Sequence, residues 1–95
     1  MPEITLLLPR VLQPRAGGRP VLTTPADGPV TVADLLDAVA SDYAVLGRRL
    51  RDETGALRRF VNVYVGGDEV RRLRGLDTEV MPGQEVLVIQ SVAGG

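Results

Sequence analysis

The sequence has no cysteine, no histidine, no tryptophan and no lysine, so all 11 of its basic residues are arginine. Without cysteine it has no disulfide, no thiol nucleophile and no thiolate metal ligand. Without histidine it lacks the side chain most often used as a general base or metal ligand. Without lysine, only the N-terminus could supply a Schiff-base amine. These absences predict that the chain is not an enzyme by itself and that its backbone is the reagent if it takes part in chemistry.

Aromatic residues and net charge are also scarce. The aromatics are Tyr43, Phe60 and Tyr64, so the core of this 95-residue, 44% apolar chain must be aliphatic. A length of this order predicts one domain. The formal charge of −1 gives no drive toward nucleic acid or an anionic membrane. No apolar run is long enough to span a bilayer, and Glu3 stands where a signal peptide would be basic. We therefore expect a cytoplasmic protein with neither a nucleic-acid nor a membrane partner.

The pattern of apolar residues predicts strands separated by glycine- and proline-rich turns. The element order is strand, strand, helix and then several strands, which indicates an α+β fold with one helix on one face of a sheet. The last strand is apolar on both faces, so we expect it to be central and covered on both sides. The predicted strands are residues 3–12, 21–24, 60–65, 69–71 and 84–90.

One helix is predicted, beginning after Thr31 and ending near Gly47 or shortly before it. Thr31 is a good N-cap, and Asp34 stands three residues later, as a capping box requires. Residues 47–59 are polar and are expected to be irregular. The helix has an apolar stripe at helical spacing, which would cover one face of the sheet; it consists of Val32, Leu35, Leu36, Val39, Ala40 and Tyr43.

The chain ends in Gly94 and Gly95, after the apolar last strand. A terminus without side chains can enter a narrow channel, because glycine allows close approach of the backbone. A frayed end is the simpler interpretation of any terminus. We expect residues 1–90 to form the domain and residues 91–95 a flexible tail. Five extended residues would reach about 17 Å.

Five stretches of the sequence are similar to a known family: residues 59–65, 68–71, 75–78, 83–86 and 92–95. They resemble the CysO branch of the MoaD/ThiS family of sulfur carriers. The likeness is strongest over residues 59–95 and weaker over residues 1–58. It implies a ubiquitin-like β-grasp fold, in which one main helix packs on a mixed sheet and a Gly-Gly tail protrudes. Family members often have Pro-Ala before the Val-Ala-Gly-Gly end, where this chain has Gln90-Ser91.

This resemblance implies a reaction cycle at Gly95. An E1-like activating enzyme of the MoeB/ThiF type would use ATP to adenylate the Gly95 carboxylate, and sulfide or a persulfide would convert it to a thiocarboxylate. The sulfur would pass to a synthase that makes cysteine, a thio-sugar or another secondary metabolite, and a JAMM-type metallopeptidase is a further implied partner. The chain itself would bind no cofactor and no metal. Gly94 would give clearance, and Ser91, Val92 and Ala93 would be recognised by the partner.

Three alternatives remain open at this point. In the first, the chain is MoaD-like and forms the small subunit of molybdopterin synthase. A ubiquitin-like modifier uses the same activation but has lysine as its acceptor. An interaction module with an idle tail would use neither the activation nor an acceptor.

The charged residues have simpler interpretations than catalysis. The arginines of residues 48–59 alternate with Asp52 and Glu53, which is typical of a solvated, ion-paired surface. The adjacent acids Asp68 and Glu69 flank a predicted turn and favour solubility over a metal site. Asn62, inside an apolar strand, is either functional or bonded to a neighbouring loop.

Overall fold

The protein is described by a computed structural model that covers residues 2–91. The strands alternate with α-helices and 3-10 helices along the chain. The strands are β1 (Glu3–Leu7), β2 (Val21–Pro25), β3 (Val30–Thr31), β4 (Val61–Val65), β5 (Asp68–Glu69), β6 (Glu79–Val80) and β7 (Glu85–Gln90). The α-helices are α1 (Val32–Asp42) and α2 (Ala44–Leu50), and the 3-10 helices are Arg10–Ala16, Val70–Arg72 and Gly75–Asp77.

Within these residues, the main sheet has the strand order β2-β1-β7-β4-β5, which places β7 in the centre. Strand β7 runs parallel to β1 and antiparallel to β4. Strands β1 and β2 pair antiparallel. Strands β4 and β5 are joined by Gly66 and Gly67, whose φ angles of 60° and 86° give the positive values that a tight two-residue hairpin turn requires.

The predicted start of the first helix is confirmed. The Thr31 hydroxyl accepts a hydrogen bond from the Asp34 N–H at 3.1 Å, and the Asp34 carboxylate accepts from the Thr31 N–H at 3.2 Å, which completes the capping box. The prediction of a single helix ending near Gly47 was wrong. Helix α1 ends at Asp42, and α2 follows after a break at Tyr43 and includes Gly47.

Two strand boundaries also differ from the prediction. Strand β1 ends at Leu7 instead of continuing to Leu12, since Pro9 is followed by a 3-10 helix in which Leu12 is buried. Strand β5 ends at Glu69, after which a 3-10 helix begins at Val70. These two 3-10 helices each bury at least one apolar side chain, so they fill the core where the longer strands were predicted.

The helices cover one face of the sheet, and the core between them is aliphatic, as the sequence predicts. Among residues 2–91, no helix combines the length and the apolar character needed to cross a bilayer. The largest side chains that are fully buried come from strands, helices and 3-10 turns: Ile4, Leu6, Val32, Leu35, Leu36, Leu46, Leu50, Val61, Val63, Val70, Val80 and Val86.

Candidate functional site: the end of the central strand

Of the residues predicted to act in the tail, Ser91 is within the described part of the chain. Val92, Ala93, Gly94 and Gly95 lie outside the described residues. The site is therefore built from Ser91 and the surface around it. Ser91 directly follows β7, so the segment carrying the predicted reagent begins at the middle of the sheet.

Ser91 remains hydrogen-bonded to the sheet beyond the end of β7. Its N–H donates to the carbonyl oxygen of Phe60 at 2.8 Å, which extends the ladder between β7 and β4 past the Gln90–Val61 pair. Its hydroxyl oxygen lies 3.0 Å from Nδ2 of Asn62, which donates to it. Both the backbone and the side chain of Ser91 thus contact the β4 segment.

Arg71 determines which way the Asn62 amide faces. Its Nη1 donates to Oδ1 of Asn62 at 3.1 Å. A guanidinium has donors but no acceptor, so the amide must turn its oxygen toward Arg71 and its Nδ2 toward Ser91. The two hydrogen bonds therefore form one chain from Arg71 through Asn62 to Ser91.

Three further contacts hold Arg71 itself. Its Nη2 donates to the carbonyl oxygen of Arg58 at 2.9 Å. Its backbone N–H donates to Oε2 of Glu69 at 2.8 Å, and its Nη1 lies 3.8 Å from Oε1 of the same carboxylate. The guanidinium is therefore held by a backbone carbonyl and an ion pair in addition to its contact with Asn62.

The second part of the site is the face of the sheet that the helices leave uncovered, which we call the open face. Its central row crosses four strands: Val21 pairs with Leu7, Leu7 with Leu87, and Leu87 with Tyr64. Val21 and Leu87 are 41% and 39% exposed. The prediction that β7 is central is confirmed, but the prediction that both its faces are covered was wrong.

The open face continues toward Ser91. Ile89 is 40% exposed and pairs with Asn62, and Phe60 is 39% exposed beside Ser91. The guanidinium of Arg59 lies over the Phe60 ring, 5.6 Å from its centroid, a cation–π distance. An apolar surface with a cationic edge thus extends to the start of the C-terminal segment.

The acidic residues elsewhere have structural roles. Asp52 accepts hydrogen bonds from the Thr54 hydroxyl and from the N–H groups of Thr54 and Ala56, which closes the loop after α2. The Thr54 hydroxyl, more than any other contact, lowers the pKa of Asp52 below its ordinary value of 3.8. Asp37 forms an ion pair with Arg51 at 2.6 Å. Over residues 2–91, no group of acidic side chains is arranged to hold a metal ion.

Sequence reasoning did not identify Arg71 as part of the site. The position of Asn62 in an apolar strand was a signal, and its two hydrogen bonds now account for it. The arginine lies nine residues away along the chain and the serine 29. The register of β4 against β7 brings Asn62 to Ser91, and the 3-10 helix after β5 places Arg71 beside Asn62.

The fold and the central exit strand define a β-grasp, ubiquitin-like protein, and comparisons with known proteins give its family. Residues 7–95 match the model of the ThiS family, so the chain belongs to that family. The chain is 33% identical over 95 residues to the sulfur carrier protein CysO of Mycobacterium tuberculosis, covering 98% of this chain and 99% of the relative. The family and this relative support a role as a sulfur carrier.

Solved structures agree with this assignment. The CysO-containing BexX/CysO complex of Amycolatopsis orientalis matches with a TM-score of 0.85 and 35% identity, covering 97% of this chain and 99% of the other. The small archaeal modifier protein 1 of Haloferax volcanii matches with a TM-score of 0.81 and 25% identity, covering 97% and 100%. The fold is thus shared by carriers and by ubiquitin-like modifiers.

Proposed function

We propose that this protein is a sulfur carrier and that the carboxylate of Gly95 bears the sulfur. An activating enzyme joins this carboxylate to the α-phosphate of ATP, which releases pyrophosphate and forms an acyl-adenylate. Sulfide attacks the acyl carbon, AMP leaves, and a thiocarboxylate remains. If a persulfide attacks instead, AMP leaves an acyl disulfide, and a thiol then reduces this to the thiocarboxylate with release of a disulfide. The chain is a protein co-substrate in this cycle, with no bound cofactor of its own.

The observation that carries this proposal is the match to the ThiS family, which extends through residue 95, together with the near-full-length match to a sulfur carrier. The geometry of residues 2–91 is consistent with it. Ser91 leaves the middle of the sheet at the edge of an exposed apolar surface, so a partner that receives the C-terminal segment would also meet the open face. Ordering a terminal segment on binding costs free energy, and a second contact on the folded body offsets that cost.

The open face has the composition of a docking surface. Leu7, Leu87, Ile89, Tyr64 and Phe60 are apolar or aromatic, and aromatic side chains near the centre of an interface often dominate its binding energy. Arg59 adds a positive charge at the edge. We assign to this face both the E1-like activating enzyme and the sulfur-accepting synthase, which would therefore bind in turn.

The related Amycolatopsis CysO was crystallised in a complex with another protein, BexX, which supports docking of a folded partner. The sulfur is used to make cysteine or another sulfur-containing metabolite. A JAMM-type metallopeptidase that cleaves after Gly95 completes the cycle if the sulfur stays attached to the carrier as part of a new residue.

The proposal is tested by intact-mass spectrometry. The purified chain is incubated with an E1-like activating enzyme, ATP and sulfide, and we expect a mass gain equal to the difference between sulfur and oxygen. The variant lacking Gly95 is the matched control and should gain nothing. A wild-type mass that stays unchanged with an enzyme that activates a related carrier would overturn the proposal.

A second candidate is a covalent modifier of other proteins. It is favoured by the likeness to the small archaeal modifier proteins, including a 38% identical relative over 69 residues in Haloferax volcanii. Gly-Gly remnants on lysines of cellular proteins, lost when Gly95 is deleted, would select this role. Stable co-purification with a larger subunit that acts on a pterin would instead select the small subunit of molybdopterin synthase.

A further inference from the structure

We propose that Arg71 and Asn62 form a clamp that positions Ser91, and that this clamp determines how tightly the activating enzyme binds the carrier. The inference rests on the proposed function and adds positioning residues to it. The clamp consists of the two consecutive hydrogen bonds from Arg71 to Asn62 and from Asn62 to Ser91, at 3.1 and 3.0 Å.

The first argument is directional. Because Arg71 can only donate, it fixes the amide of Asn62 with Nδ2 toward Ser91. Arg71 is itself tied to the Arg58 carbonyl oxygen and to the Glu69 carboxylate, so it cannot turn without breaking both contacts. The orientation of Asn62 is therefore built into the fold and is available before any partner binds.

The second argument concerns how far along the chain the contacts with the sheet extend. With Ser91 held through both its N–H and its hydroxyl, the segment that reaches the partner is counted from residue 92. Four extended residues span about 14 Å. Without the clamp, Ser91 and the end of β7 would add to the chain that must be ordered when the partner binds, which weakens binding.

The third argument is position. Asn62 pairs with Ile89 and Phe60 accepts the hydrogen bond from Ser91, so the clamp lies within the open face. A partner docked on that face would cover the clamp and exclude water from it, which strengthens its hydrogen bonds. Binding of the face and positioning of the segment are thus coupled.

The kinetic test uses the activating enzyme with the carrier as its varied substrate. We expect Asn62→Ala and Ser91→Ala each to raise KM by about three- to tenfold, because more chain must be ordered on binding. The kcat should be unchanged, since the Gly95 carboxylate reacts in the same way once bound. The double variant should be no worse than either single variant, because both remove the same hydrogen bond.

Three further variants separate positioning from a general structural effect. Unlike Asn62→Ala, Asn62→Asp should keep KM near that of the wild type, because its carboxylate can accept hydrogen bonds from both Arg71 and the Ser91 hydroxyl. Arg71→Met should raise KM, whereas Arg72→Met, on the same exposed turn, should not. Equal effects of the two arginine variants, or no change in KM with Asn62→Ala, would overturn the proposal.

A measurement without the partner distinguishes this inference from the proposed function. Hydrogen exchange of the Ser91 amide, which donates to Phe60, should be about tenfold faster in Asn62→Ala than in the wild type. If the wild type gains no sulfur but this exchange difference is found, the proposed function fails and the clamp stands as a positioning device. An unchanged exchange rate overturns the clamp whatever the outcome of the sulfur assay.

Discussion

Gly47 of α2 lies directly against Ala40 of α1. A Cβ atom added at position 47 would be 2.5 Å from the Cβ of Ala40 and 3.0 Å from its Cα, well inside the distance of normal contact. The absent side chain therefore lets the second helix pack closely on the first. The neighbouring Leu46 and Leu50 are fully buried, so the close approach also seats these side chains in the core.

Replacing this glycine should destabilise the protein. We expect Gly47→Ala to lower the free energy of unfolding by up to about 2 kcal/mol, because an overpacking cost of about 1–3 kcal/mol is offset by a gain of only about 1 kcal/mol in helix propensity. The control is Gly28→Ala, since a Cβ at Gly28 would meet no atom within 4 Å. Denaturant unfolding measures both. Equal stability of the two variants would contradict the steric account.

Substitutions on the open face should weaken activation without unfolding the chain. We expect Leu87→Ser and Ile89→Ser each to raise the KM of the activating enzyme for the carrier by about tenfold, as loss of a central interface contact does. Both side chains are about 40% exposed, so the change in stability should be smaller than for a core residue. Val45→Ser, on the helical side and 41% exposed, is the control and should leave KM unchanged. The same rise in KM for Val45→Ser would refute docking on the open face.

Asp52 should contribute to the dependence of stability on acid. Its pKa is lowered in the folded state, chiefly by the Thr54 hydroxyl, so its contribution is present above the ordinary value of 3.8 and is lost as the pH falls through the lowered pKa. We expect Asp52→Asn to be less stable than the wild type at pH 7. The difference should shrink when denaturant unfolding is repeated below pH 3.8.

The neighbouring acid provides the comparison for this pH effect. Glu53→Gln makes the same change of charge at an exposed position, and its stability relative to the wild type should change less between the two pH values. A difference between Asp52→Asn and the wild type that is constant with pH would show that the hydrogen bonds of Asp52 do not depend on its charge.

The sequence predicted the fold well where local signals agree with the tertiary structure. The capping box of Thr31 and Asp34 marked the start of α1, and β-branched residues marked β4. Helix α2 was missed because Gly47, Arg48 and Arg49 make its sequence polar. Its packing against α1 through Gly47 and the burial of Leu46 and Leu50 make that segment a favourable helix.

The candidate site was predictable only in part. The Gly94-Gly95 ending is visible in the sequence, whereas the apolar outer residues of β7 were interpreted as covered by another layer. The contacts of Ser91 could not be inferred, because strand register brings Asn62 to it and the 3-10 helix after β5 brings Arg71 to Asn62. Hydrogen bonds across such a sequence separation leave no periodic signal in the chain.

The central position of β7 has a mechanical consequence. A force applied to the C-terminal side of this strand, as by a protease or unfoldase that threads chains from that end, runs along the strand and nearly perpendicular to its hydrogen bonds. It would load the ladders to β1 and β4 together, in shear, instead of peeling an edge strand away one bond at a time. The end to which we assign the sulfur is thus attached to a strand that is held by hydrogen bonds on both sides.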